Sequence, residues 1–159
     1  MRQLTFIILL FSISTTIIAQ KSQSIDFEKQ YESRIKKSKI NGIYIPYDLG
    51  DCFVQLNKLI SREAKGQFKA APEQVVAKKL HYSLGRWIWH NWGFYGGSRL
   101  SVYLNKVGIN HPEDMSTFLI ITYHRYLNKK PIKVKELAEE IRAKRDKLRK
   151  KKSEPTQHR

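Results

Sequence analysis

The residues of this chain best equipped for chemistry fall in two places. The first is Trp92-Gly93-Phe94-Tyr95-Gly96-Gly97-Ser98-Arg99, where glycines stand just before a helix start. Consecutive backbone N–H groups can converge there, and with the helix dipole and the Arg99 fork they would suit a carboxylate, phosphate or sulfate. Gly96, Gly97, Ser98 and Arg99 are therefore the expected anion seat. No Gly-Lys-Ser/Thr follows and no GxGxxG spacing occurs, so nucleotide binding has no support. The plainer account of the same residues is an interhelical turn that needs positive φ at glycine and a capping serine.

The second place is the set His81, His111, Asp114, His124 and Arg125. An imidazole beside a carboxylate can act as general acid or base near neutral pH. In that reading His124 or His111 works with Asp114 while Arg99 holds an anionic substrate. HExxH is absent and no two histidines stand three or four apart, so no zinc helix is expected, nor any other metal or cofactor. The alternative roles are a cap for His111, dipole complementarity for Asp114, and ties to a carbonyl or an acid for His124 and Arg125. No nucleophile, base and orienter can be paired from the sequence, and no catalytic residue is assigned.

Aromatic residues are dense between these two groups. Tyr82, Trp87, Trp89, Trp92, Phe94 and Tyr95 lie within one short stretch. Exposed rings can stack on sugars or bases or mark a protein interface; buried ones fill a core. Trp87 shares a helical face with Leu80, Leu84 and Ile88 and is expected inside. Trp89 and Tyr95 are the expected surface contacts.

Charge concentrates at the far end. Thirty Lys+Arg oppose 14 Asp+Glu, a formal charge of +16. Arg142, Lys144, Arg145, Lys147, Arg149, Lys150, Lys151 and Lys152 crowd one short stretch with Asp146 as its single acid. Such a tail attracts anionic lipid headgroups, acidic glycans or nucleic acid, more weakly as salt rises. It equally suits a solvated helix C-terminus that binds nothing.

Positioning these residues requires helices. Phe27, Tyr31 and Ile35 recur every four residues, as in a short amphipathic leader. Asn41 to Pro46 breaks the pattern, and Asp48 caps a helix whose core face is Leu49, Cys52, Phe53, Leu56, Leu59 and Ile60. Ser61 caps a short helix to Phe68. Pro72 opens a longer segment, to about Asn91, with Val76, Leu80, Leu84, Trp87 and Ile88 on its buried stripe. Ser98 starts a helix that Gly108 ends, His111-Pro112 starts the next, and Asn128 and Pro131 close it. Val134, Leu137, Ala138 and Ile141 mark a last helix whose stripe dissolves into the basic tail. No segment alternates with period two between hairpin turns. The expected fold is all-α, a compact irregular bundle of about five to seven helices with a basic C-terminal helix.

Composition narrows the class. The 159 residues are 41% hydrophobic and include 18 aromatics, which excludes a collagen or a wholly disordered chain. With Cys52 as the only cysteine, no intrachain disulfide, zinc ribbon or CxxC pair can form. Its place on an apolar helical face predicts a buried thiol. Residues 1–19 read as a secretory signal peptide: Arg2, an apolar run from Leu4 to Ile18 broken by Ser and Thr, and Ala19 before the cut. The run is too short for a membrane span. Cys52 lies too far from it to serve as a lipoprotein cysteine. The remaining chain divides into a leader helix (20–40), a helical domain (41–131) and a basic amphipathic helix and tail (132–159).

The stretch 42–128 carries IPYDLGDCF, WGFYGGSRL, GINHPEDMS and YHRYLN. In these pieces it resembles an uncharacterised bacterial family of domains of unknown function found often in Bacteroidota. The resemblance implies a small single domain and supplies no chemistry.

The function expected is that of an exported binding domain, periplasmic or extracellular, that recognises a protein partner or an anionic envelope component without catalysis. The alternatives are the small enzyme built on His124 or His111 with Asp114 and Arg99, and a basic binder of membrane surfaces or nucleic acid. Export makes nucleic acid the weaker of those two partners.

Overall fold

The four-residue spacing of Tyr31 and Ile35 does produce a helix, α1, at 26–36 in the computed structural model, which describes residues 26–153. The signal segment with its cut near Ala19, and the last residues of the tail, lie outside the described residues.

After α1 comes a feature the sequence reading took only as a break. Lys39–Ile40 (β1) pairs antiparallel with Ile43–Tyr44 (β2), Lys39 opposite Tyr44 and Ile40 opposite Ile43. Asn41 (φ +50°) and Gly42 (φ +78°) both adopt the left-handed backbone that a two-residue hairpin demands. The Asn-Gly dipeptide was its signal. The ladder delivers Ile45 into the core, fully buried.

The helices begin where side chains can satisfy free N–H groups. Asp48 accepts from the Asp51 amide at 2.8 Å and starts α2 (Leu49–Leu59), which buries Leu49, Cys52, Phe53 and Leu56. Ser61 caps α3 (Arg62–Ala70), whose buried residue is Phe68.

The segment opened by Pro72 is not one helix. It forms α4 (Glu73–Lys79), a π-helical turn (His81–Gly85) and α5 (Arg86–Asn91). The Gly85 amide donates to the Leu80 carbonyl five residues back, at 2.8 Å, which inserts an extra residue and turns the following face by about 100°. Glycine gives close packing here: a Cβ would lie 3.3 Å from the Leu80 oxygen and 3.4 Å from Ser116 Oγ, tighter than most such contacts.

The next helix, α6 (Arg99–Val107), carries a reciprocal cap between Ser98 and Ser101 and ends at Gly108, φ +96°. Its successor α7 (Pro112–Leu127) buries Met115, Phe118, Leu119, Ile120 and Tyr123 together with Ser116, Thr122 and His124. Apolar nearly all round, it is the axis of the bundle. Every helix from α2 to α6 and the π turn pack on it, as does the last helix, α8 (Val134–Ser153). Thr122 avoids an orphaned hydroxyl by donating back to the Phe118 carbonyl at 2.9 Å.

The architecture is thus all-α, with eight α-helices and a single two-stranded ladder among the described residues. The expected seam at 131 is not a structural one. Leu137, Ala138 and Ile141 of α8 are buried against α6 and α7 and complete the same core. No described helix is long and apolar enough to cross a membrane.

Candidate functional site

The glycine turn does not offer the expected seat. Gly93 (φ +67°) and Gly97 (φ +83°) bend the chain so that carbonyls, not amides, meet the neighbouring helix. Arg34 of α1 donates through Nε to the carbonyls of Gly96 (3.1 Å) and Gly97 (3.2 Å), and the Tyr31 ring fills the space a Gly97 Cβ would need. Ser98 is fully buried and spent on its cap. Arg99 turns toward the hairpin instead: Nε donates to the Ile45 carbonyl at 2.8 Å, and its guanidinium lies 5.0 Å and 5.7 Å from the centres of the Tyr44 and Tyr47 rings. Tyr44 is in turn fixed by donating to Asp51 at 2.9 Å, a bond that holds its phenol above the ordinary range. Gly96, Gly97, Ser98 and Arg99 therefore tie α1, the hairpin and α6 together, while Arg99 Nη2 is buried without a partner among the described residues.

The histidine and acid set does not converge either. The His124 Nε2–H donates to the Ala71 carbonyl at 2.9 Å, while Nδ1 is buried without a partner, 3.9 Å from Glu73. Arg125 grips Glu73 with two bonds, of 2.9 and 2.7 Å, and the Ile132 carbonyl with a third of 2.7 Å. Those bonds hold the Glu73 carboxyl below its ordinary range. Asp114, ten residues from His124 on the same helix and so about 15 Å along its axis, is paired with Arg145 of α8 through Nε and Nη2. His111 caps α7 by accepting from the Glu113 amide at 3.3 Å, and the His81 ring packs edge-on to Tyr82. Arg99, His111, Asp114 and His124 thus stand apart, and the acid–base constellation built from them is not assembled. Among the described residues no three metal-ligating side chains cluster.

What the fold does assemble is a cleft on α5. Ser83, Arg86, Trp87, Trp89, His90, Asn91 and Tyr95 line an open cavity of about 610 Å³, within the ~300–1,000 Å³ range of small-ligand sites. The π turn is the local cause. By rotating the face that follows it, it leaves Ile88 as the one α5 residue sealed in the core and brings the residues on either side of it to the opening. Trp87, expected inside, is half-buried: one edge meets core Trp92 at 5.9 Å, and the residue also lines the cleft. Trp89 and Tyr95, the expected surface contacts, both line the cavity, their rings 5.1 Å apart.

The Trp89 Nε1–H is buried without an acceptor among the described residues, as Arg99 Nη2 and His124 Nδ1 are without partners, and it does not open onto the cleft. At the rim, desolvation and then the charge of Glu113 raise the Tyr95 phenol above its ordinary value, while Arg145 lowers it. Glu113 is itself held by Arg145, at 3.7 Å, in the cluster where Arg145 also pairs with Asp114. Arg86, His90 and Asn91 escaped the sequence reading. Their signal was the position they share with Trp89 on α5, which the π turn decides.

Of the basic residues on α8, Arg145 is committed to that cluster, and Arg142 reaches toward Gly108 at the C-terminal end of α6, where a cation is favoured. Lys144, Lys147, Arg149, Lys150, Lys151 and Lys152 are exposed, and none forms an ion pair among the described residues.

Fold and site define a small all-α domain built round one central helix, with an aromatic cleft beside the root of a basic helix. Residues 45–127, just over half of the chain, match the family described as a domain of unknown function (DUF6794), and the chain belongs to that family. There is no match to it among curated proteins or solved structures. The matched span holds the cleft and α7; α1 and α8 lie outside it.

Proposed function

We propose that the protein is an exported binding module of a Bacteroidota-type bacterium, active in the periplasm or outside the cell and without catalysis. It recognises a protein partner or an anionic envelope component, with the α5 cleft as the contact and the exposed end of α8 as the electrostatic attractor. The observation that carries this reading is the cleft itself, an open cavity lined by Trp87, Trp89 and Tyr95 with Arg86 beside them. The groups an enzyme would need are instead spent on structural ties. Six exposed cations on the outer half of α8 raise the local concentration of anionic surfaces, peripheral membrane contact included. Nucleic acid is the weaker partner for an exported chain.

Cosedimentation of the purified chain with acidic polysaccharide and with anionic vesicles tests this reading. Binding is expected to weaken several-fold on Trp89→Ala, and again on Lys147→Gln/Lys150→Gln/Lys151→Gln. The charge variant alone is expected to lose its salt dependence. Binding that neither change touches would remove the proposal.

A further inference from the structure

The cleft carries more than the statement that something binds there. Resting on the reading of the cleft as a contact site, we infer that its ligand is a short acidic oligosaccharide, with pyranose rings against Trp89 and Tyr95 and a carboxylate at Arg86.

The chemistry of the lining argues for this class. Three of the seven lining residues, Trp87, Trp89 and Tyr95, are aromatic. The C–H face of a pyranose is apolar and faintly positive, and matches the negative face of such rings. Tyr95, 61% exposed, stands free at the rim to receive one. The polar groups are richer in donors than in acceptors. Arg86 only donates, Ser83 and His90 can do either, and Asn91 has already given one N–H to the Trp87 carbonyl at 2.8 Å. A complementary ligand is therefore dense in oxygen acceptors, which hydroxyls and a carboxylate supply.

Charge selects the acidic sugar. Arg86 is a fixed cation and none of the seven lining residues is an acid. The acid nearest in effect, Glu113, is offset by Arg145. A guanidinium that meets a carboxylate can do so with two parallel bonds, which adds orientation as well as energy. A nucleic-acid strand needs a row of cations tracking its phosphates, and the cleft has one arginine.

The test is a titration of the purified chain with a trimer of uronic acid residues and with the matching neutral trimer, at ~0.15 M salt to screen α8. Binding is read by tryptophan fluorescence and by calorimetry. The acidic trimer is expected to bind at least ten-fold more tightly than the neutral one. Arg86→Gln is expected to bring the acidic trimer down to the level of the neutral one, and Tyr95→Ala to weaken both about ten-fold. Both positions are exposed, so these variants fold, and the test does not depend on Trp89→Ala doing so. Equal affinity for the two trimers, affinities unchanged in both variants, or tighter binding of an oligonucleotide of equal charge overturns the inference. If the trimers fail while polysaccharide or vesicles still bind in a manner that depends on Trp89, the sugar assignment falls and the binding module stands.

Discussion

Arg34 on α1 donates from one nitrogen to the carbonyls of both Gly96 and Gly97, more than sixty residues away, at 3.1 and 3.2 Å. This contact closes the turn by charge and lets the Tyr31 ring lie flush over Gly97. Gly97→Ala puts a methyl group into that ring and forces a non-glycine residue to φ +83°. A loss of about 2–3 kcal/mol is expected from strain and lost packing. Tyr31→Ala in the same chain should recover part of it by making room. Thermal unfolding of the single and double variants decides, and equal destabilisation in both backgrounds would refute the account.

The Glu73–Arg125 pair sets part of the acid limb of stability. The Arg125 bonds hold the folded Glu73 carboxyl below its ordinary value of 4.5. The pair's contribution is therefore complete above about pH 4.5 and is lost as pH falls through the lower, folded value. Glu73→Gln is expected to cost about 1 kcal/mol at pH 7, the pair being partly exposed, and much less at pH 3. Urea denaturation at the two pH values measures the difference; an equal cost at both would contradict it.

Cys52 is expected to be inert while the fold is intact. It is fully buried, and desolvation first, then the charges of Asp51 and Asp48, push its thiol well above its ordinary range. A thiol reagent at pH 8 should label the native chain at least a hundred-fold more slowly than the chain in denaturant, since thiolate and access are both lacking. Prompt labelling of the native protein would show that α2 opens.

Truncation separates the two halves of α8. Ending the chain at Pro131 removes Leu137 and Ile141 from the core and leaves Asp114 without Arg145. A loss of at least about 3 kcal/mol is expected from the apolar burial alone. Ending it after Asp146 keeps those contacts and removes Lys147 and the cations that follow it. The shorter cut should unfold cooperatively with a midpoint within a few degrees of the parent and bind anionic vesicles less well. Circular dichroism melts of both truncations distinguish an integral helix from an appended tail.

The local elements were readable in the sequence because local interactions dictate them. Asp48, Ser61, Ser98 and His111 each cap the helix start expected of them, and Gly108 ends its helix. The caps rest on side chains and amides two or three residues apart, and the buried stripes on a period of 3.6, so neither needs the rest of the molecule. The hairpin was also legible, in Asn41-Gly42, as two left-handed residues in a row.

The site was legible only in part. Trp89 and Tyr95 could be picked out as aromatics off the buried stripe, and both line the cleft. Arg86, His90 and Asn91 could not, because their facing depends on a π turn that forms when Gly85 lets α7 pack close. One reason explains where the residues of the expected anion seat and acid–base set are placed. Residue type and spacing reveal that a glycine turn, an arginine or an imidazole is present, but not which distant group meets it. Arg34 takes the Gly96 and Gly97 carbonyls, Ile45 takes Arg99, Ala71 takes His124, and Arg145 takes Asp114. The sequence by itself determined most helix starts, the buried thiol and the sign of the charge, but not the division of 73–91 into α4, the π turn and α5. The tertiary structure decided which polar groups are spent on holding helices together, because those partners lie between 31 and 63 residues apart and meet only when α7 is enclosed.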